Sequence, residues 1–470
     1  MSAQLQSKTP REPAAAGAAR LAQRLGLFDA TMIVMGGMVG AGIFMNPYVV
    51  ARQVHTPVLI LGAWVLGGLV AMAGALVYAE LAARCPQVGG QYAYLREAYH
   101  PSVAFVYGWG LLLVTQSGGM AAVAVTFARY FLELTHAQGM EKLVATLALA
   151  GLALINCLGV RTGGTVQNAF MVMKILAIAA LVGCGMLLAQ QPQSLTHPVV
   201  GQPLSFDLLT AFGAALIPVL FAYGGWQTSS FISAEMRQPR KDLPRGLVLG
   251  TAGVLLLYVG VNVVCVRVLG PERLAGTTAP ATEVMRLLLG EEGARLIALG
   301  IAVSTLGFLS QSILTAPRVY FAMAQDRVFF QSVGRVSSRT RVPTVAILLQ
   351  AAVAIVIAVS GRYEQILSYV VAMDFIFFGT TATCLFAFRR RDRWAAESNA
   401  SAAVASDPKA RALVPFRTPG HPLTTLFFIA VSWLVVANTF YKYPWESLTG
   451  LALVLSGIPV YFLWQRSSQQ

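Results

Sequence analysis

Apolar residues dominate this chain in long runs separated by short polar stretches, and most runs are long enough to cross a bilayer. A spanning helix needs about 20 predominantly apolar residues. Twelve such runs can be drawn: 28–52, 57–83, 101–132, 142–160, 166–189, 207–234, 246–268, 294–322, 344–360, 365–388, 422–441 and 446–464. Numbered as spans one to twelve, they predict an all-α polytopic membrane protein with both ends on the same side. Residues 1–26 are polar and read as a tail outside the membrane. Residues 392–412 are rich in Ala, Ser and charge and read as a linker.

Two runs are interrupted where a membrane helix should be continuous. Span one holds Gly36-Gly37-Met38-Val39-Gly40-Ala41-Gly42-Ile43-Phe44, and span six holds Phe221-Ala222-Tyr223-Gly224-Gly225-Trp226. Unwound backbone at membrane depth has N–H and C=O groups that lipid cannot satisfy, so it is tolerated only where it lines a cavity. Matched breaks in two halves of a chain point to a transporter's substrate site. The breaks lie five spans apart. An odd number of spans per repeat inverts the second repeat, so 27–190 and 206–388 are expected as an inverted pair. Residues 389–420 follow as a linker, 421–464 as an appended helix pair and 465–470 as a tail.

Composition agrees with this reading. The chain of 470 residues is 56% hydrophobic and 11% charged, whereas soluble proteins carry roughly 25% charged residues. A net charge of +14 would suit nucleic acid in a soluble protein. Here the basic residues sit in short loops, as topology requires, so no nucleic-acid partner is expected. One set of loops carries Arg84, Arg96, Arg161, Arg237, Arg240, Lys241, Arg245, Arg327, Arg335, Arg339, Arg341 and Arg389–Arg391. In the opposite set, Arg273 and Arg286 are offset by Glu272, Glu283, Glu291 and Glu292. The bias places both termini in the cytoplasm. The five cysteines fall in or near spans, and no structural disulfide is expected.

The breaks also suggest a ligand. A half-helix beginning near Gly40-Ala41-Gly42 offers free N–H groups and the positive end of a dipole to an anion. The carbonyls of Met38, Val39, Phe221, Ala222 and Gly224 lose helical partners and suit an ammonium. A carboxylate site beside an ammonium site describes an α-amino acid. Lys174, midway along span five, is a buried cation that needs a partner or a function. Asp374 in span ten is either a proton carrier or a polar wall of the cavity. Glu80 and Glu235 lie near the cytoplasmic face, where they could pair with loops around Arg96 or Arg240 as an inner gate, or serve as interfacial charges. The histidines lie near span ends or in loops, and neither Gly-x-Ser-x-Gly nor His-Glu-x-x-His occurs. An enzyme, a metal site and a cofactor are therefore not expected. A channel would want a filter loop or polar stripe, and a non-transporting amino acid sensor is a remoter alternative.

Several motifs together carry a resemblance: Val39-Gly40-Ala41-Gly42-Ile43-Phe44; Tyr78-Ala79-Glu80-Leu81 with Gly89-Gly90-Gln91-Tyr92; Phe221-Ala222-Tyr223-Gly224-Gly225-Trp226; Glu235-Met236 with Pro239-Arg240; and Pro415-Phe416-Arg417-Thr418-Pro419-Gly420. Over residues 27–440 the chain resembles the L-type amino acid transporters of the amino acid–polyamine–organocation superfamily. The resemblance implies the five-plus-five inverted-repeat fold of the sodium-coupled leucine transporter, with substrate between spans one, three, six, eight and ten. It implies that Phe221 is an aromatic gate. It also implies that Lys174 replaces a sodium ion, linking the span-one break to span eight at Ser304 and Thr305. Transport would then be sodium-independent, with neutral L-amino acids exchanged or carried with protons. Gly224 beside the site leaves room for bulky side chains. Gly40-Ala41-Gly42 departs from the family's Gly-Ser-Gly, losing a hydroxyl but keeping the amide. Cys265 stands where relatives often have tyrosine, which removes an expected outer-gate hydroxyl. Animal relatives bond a glycoprotein through a cysteine between spans three and four. Leu134–Lys142 has none, so no disulfide-linked heavy chain is expected. A bacterial inner membrane suits the short tails.

Overall fold

The computed structural model describes residues 23–135, 137, 139–190, 192–196, 205–360, 363–401 and 416–468. The expected N-terminal tail up to residue 22, the linker over 402–415 and the last two residues lie outside these. Among the described residues the regular structure is helical, apart from one isolated bridge between Leu25 and Met236.

Among the described residues, nine helices are long and apolar enough to cross a membrane: Pro57–Arg84, Pro101–Leu132, Val160–Leu188, Phe206–Glu235, Pro239–Gly276, Pro280–Gln325, Val370–Asp392, Leu423–Lys442 and Pro444–Gln465. A tenth is the pair Leu27–Met38 and Gly42–Val54, bent by 42° at the span-one break. The chain is therefore a multi-pass membrane protein. Expected spans four and nine coincide with Glu141–Cys157 and Thr344–Ser360, each of 17 residues. These are shorter than the roughly 20 residues a membrane requires of an untilted helix. The helix over span ten runs on to Ser401, into the segment read as a linker. A short helix, Gln91–Ala98, lies between spans two and three and was not anticipated. Its Gln91 donates to the Thr381 hydroxyl at 2.9 Å, fixing it to span ten.

Local sequence accounts for where the helices begin. Pro57, Pro101, Pro239, Pro280 and Pro444 open their helices, where a missing N–H costs nothing and φ is already set. Thr56 and Ser205 accept from the amides of Leu59 and Leu208 as N-caps. Small residues then set the packing. A Cβ at Gly246 would lie 2.6 Å from that of Ala30, and one at Gly250 would lie 2.6 Å from Val34. The first half of span one therefore rests backbone-close on span seven. Its second half pairs with the first half of span six, where Asn46 Nδ2 donates to the Pro218 carbonyl at 2.6 Å. Both broken spans are thus anchored by their halves, which leaves the breaks facing each other.

Candidate functional site

The two breaks meet at a pair of glycines. After the helix Phe206–Tyr223, Gly224 is extended and Gly225 turns the chain with φ 101° into the 3-10 helix Trp226–Glu235. A Cβ on Gly225 would lie 2.0 Å from the Gly37 carbonyl oxygen, and one on Gly37 would lie 2.6 Å from the Gly225 oxygen. Gly225 is therefore required twice, by its backbone angle and by the approach of span one. Gly42 backs onto Ala222, whose Cβ would be 3.0 Å from an added Cβ. Gly42 thus serves the contact between the breaks as well as the backbone of the cavity.

The second half of span one starts at Gly42, so the first amides of that half-helix have no intrahelical acceptor. The carbonyls expected to hold an ammonium are not equally available. Val39 accepts from Lys174 Nζ, and Phe221 accepts from the Gly224 amide at 3.1 Å. The Tyr258 hydroxyl lies 2.8 Å from the Met38 carbonyl and 3.2 Å from that of Ala222, and donates to one or the other. Each oxygen keeps a second lone pair, so the cluster still accepts, from a more fixed geometry. Tyr258 was missed in the sequence. It brings a hydroxyl from span seven to both breaks, and it packs edge-on to Trp64 with ring centroids 5.8 Å apart.

A cavity lies against both breaks, with walls from the helices over spans one, three, six, eight and ten. Met38, Gly40, Ala41, Gly42, Phe221, Ala222, Gly224 and Asp374 all line it. Val39 does not; its carbonyl faces Lys174 instead. Sequence reasoning overlooked Thr115, Gln116, Thr228 and Gln311, which also line it. A turn of π-helix, Leu111–Thr115, ends at the first two; such bulges often re-aim side chains at functional sites. Gln311 Nε2 donates to Thr228 at 2.7 Å, joining span eight to the second half of span six. Phe221, one of the lining residues, packs against Ala122 of span three and Val370 of span ten.

Lys174 is fully buried behind the span-one break. Its Nζ donates to the Val39 carbonyl and, at 3.4 Å, to that of Gly36. These are the carbonyls on which the helix unwinds. The expected bonds to span eight do not form. The Ser304 hydroxyl has no hydrogen-bond partner among the described residues, and that of Thr305 turns back to Ala302. The lysine stem reaches span eight by packing instead, since a Cβ on Gly307 would lie 2.5 Å from Lys174 Cε.

A helical bundle with two broken spans meeting at a cavity agrees with the comparisons. The model of the family described as amino acid permease matches residues 25–461. The chain belongs to the amino acid permease family. It is 29% identical over 447 residues to the serine/threonine exchanger SteT of Bacillus subtilis, covering 94% of this chain and 97% of that protein. It is 27% identical over 468 residues to the human large neutral amino acids transporter small subunit 2, covering 97% and 84%. It is also 27% identical over 453 residues to the human b(0,+)-type amino acid transporter 1, covering 94% and 88%. These relatives are transporters, not enzymes.

In this permease the two glutamates find partners other than those expected. Glu80 is buried and accepts from Arg389 at 2.9 and 2.7 Å, from Arg84 at 2.8 Å and from the Thr418 amide at 2.7 Å. It therefore ties the end of span two to the end of span ten and to the approach to span eleven. Glu235 pairs with Arg318, whose Nε lies 2.7 Å away, and both are buried. Arg96 instead binds Asp326 at 2.5 Å, and Arg240 makes no ion pair among the described residues. Loop arginines close in sequence lost to arginines on the spans because burial rewards partners that are already desolvated and fixed.

Proposed function

We propose that this permease is a sodium-independent exchanger of neutral L-amino acids that works by alternating access. One observation carries the reading: the broken backbones of spans one and six meet at Gly37 and Gly225 in a cavity. A carboxylate would sit on the amides of Gly40, Ala41 and Gly42. The ammonium would sit among the carbonyls of Met38, Phe221, Ala222 and Gly224. Lys174 occupies the Gly36 and Val39 carbonyls, where a coupling cation would otherwise be held. Asp374, Thr115 and Gln116 would face the substrate side chain. Phe221 would close over the substrate, while Glu80 and Glu235 would anchor the opposite gate. The scaffold would be twelve spans in a five-plus-five inverted repeat, 27–190 against 206–388, with two appended helices. Both termini would be cytoplasmic, in a bacterial inner membrane, without a disulfide-linked partner. The printed names of the relatives, a serine/threonine exchanger and large neutral amino acids transporters, support both the exchange and the neutral class.

The test is uptake of labelled serine and leucine into proteoliposomes, with and without unlabelled amino acid inside. Internal amino acid should be required, and replacing sodium by choline should change nothing. Methyl esters and N-acetyl amino acids should compete poorly, because each removes one of the two charges the breaks recognise. Equal competition by blocked analogues would refute the site. A second reading, proton symport, is favoured by the Asp374 carboxylate in the cavity wall. Accumulation in empty liposomes, driven by an inward pH gradient alone, would establish it in place of exchange.

Gly224 sets the expected size limit. An added Cβ would meet the Phe221 and Leu220 carbonyls, at 3.2 and 3.6 Å, and no side chain. The backbone there is extended and open to any residue, and the Phe221 carbonyl need give by only a few tenths of an ångström. Gly224→Val should therefore fold, exclude leucine and phenylalanine, and spare alanine and serine. Equal loss or equal retention of both classes would place the side-chain pocket elsewhere.

A further inference from the structure

A second cavity, of about 430 Å³, opens where the start of span one, the start of span five and the residues after span six converge. Three arginines line it, Arg24, Arg161 and Arg237, against one acid, Asp29. Asp29 is already engaged: one oxygen accepts from the Gly26 amide at 3.0 Å and the other from Asn168 at 2.9 Å. None of the three guanidinium groups forms an ion pair among the described residues.

The cluster is held in place by backbone. The amides of Arg24 and Leu25 both donate to the Glu235 carbonyl, at 2.9 and 3.1 Å, and the Arg237 amide donates to Leu25 at 2.8 Å. This short parallel clip sets Arg24 and Arg237 side by side on different segments. Arg161 faces them from the first turn of the Val160–Leu188 helix, whose amino end adds positive potential. The floor is open, since a Cβ on Gly164 would meet only Leu25 Cδ2, at 3.9 Å. Like charges held together without a counter-ion repel, and the arrangement is stabilised when an anion joins them. Guanidinium groups suit phosphate oxygens best, through paired N–H bonds.

The surface leading away from the cavity is apolar. Arg161, Thr165, Ala169, Val172 and Leu176 are all exposed and recur at helical spacing along one face of span five. Leu176 is 63% and Val172 44% exposed. A phosphate at the arginines would therefore have a hydrocarbon track running from it into the bilayer. A basic pocket between spans continuous with such a track is how membrane proteins take anionic headgroups.

We propose that the Arg24–Arg161–Arg237 cavity binds the phosphate headgroup of an anionic phospholipid, whose acyl chain lies along the exposed face of span five. The lipid fastens the start of span one to spans five and six. The full chain, purified in detergent, is melted with added phosphatidylglycerol, phosphatidylcholine, or inorganic phosphate. Phosphatidylglycerol should raise the melting temperature by several degrees above phosphatidylcholine, and inorganic phosphate should not. Arg161→Gln/Arg237→Gln should bring the phosphatidylglycerol effect down to the phosphatidylcholine level, while Arg295→Gln/Lys442→Gln, a distant pair at the start of span eight and the end of span eleven, should keep it. Native mass spectrometry of Arg161→Gln alone should show one fewer phosphatidylglycerol retained than the parent protein. The proposal is overturned if phosphatidylglycerol and phosphatidylcholine stabilise equally, or if the distant pair abolishes the effect as fully, which would mean diffuse attraction to surface charge. It is also overturned if inorganic phosphate reproduces the rise, which would mean a soluble-anion site.

Discussion

Lys174→Ala is expected to slow amino acid exchange in proteoliposomes by about 100-fold while changing substrate affinity far less. The side chain donates to the Gly36 and Val39 carbonyls and rests on Gly307. Its removal leaves two buried carbonyls without a donor, at about 1–3 kcal/mol each. A barrier raised by about 3 kcal/mol slows a step roughly 100-fold. The penalty falls on the conformational step because the lysine joins span one to spans five and eight and does not line the cavity. Binding, followed by substrate protection against thermal unfolding, should weaken by less than the rate does. Lys174→Arg keeps the charge but cannot fit its planar head beside Gly307, so it should not rescue turnover. A variant that exchanges at the parental rate would remove Lys174 from the cycle. Sodium-stimulated exchange by the parent protein would do the same, since the ammonium is then no substitute for a cation.

Lys174 and the glycine breaks were legible because they contradict their surroundings. A cation among Met171, Met173, Ile175 and Leu176, or Gly-x-Gly inside an apolar run, has few explanations in lipid. The rest of the cavity wall was not legible, for an equally physical reason. Span eight carries Ser304, Thr305, Ser310, Gln311, Ser312 and Thr315, all buried. Gln311 and Ser312 line the cavity while Ser304 and Thr305 do not. Composition cannot choose among them until the neighbouring helices fix which face looks inward. Tyr258 was hidden in the same way, as one hydroxyl in an apolar span whose partners are carbonyls on two other spans. The ion pairs were hidden by distance along the chain. Glu80 meets Arg389 across 309 positions and Glu235 meets Arg318 across 83. Length and hydropathy alone mark the two short helices over spans four and nine as spans. The helix over span four stops at Cys157, three residues short of the run drawn for it, while that over span nine matches 344–360.

Arg318→Ala is expected to destabilise the protein by about 3–5 kcal/mol, because it strands the buried Glu235 carboxylate without its counter-charge. The consequence should spread beyond the pair. The Glu235 carbonyl also holds the amides of Arg24 and Leu25, so loosening this residue frees the start of span one. Unfolding in detergent, followed by denaturant or heat, should show the loss directly. Glu235→Gln/Arg318→Met removes both charges and keeps similar volume, and it should recover most of the stability, because no uncompensated ion remains. That double variant separates scaffold from gate. If the pair serves only to hold the fold, the double variant exchanges amino acids as the parent does. As an anchor of the inner gate, the pair must hold one side shut while the other opens. Its loss should then let preloaded substrate leak from proteoliposomes into medium containing no amino acid, with exchange still running. Tight retention in the double variant, at parental stability, would assign Glu235 to the fold and leave the gate to the Glu80 cluster.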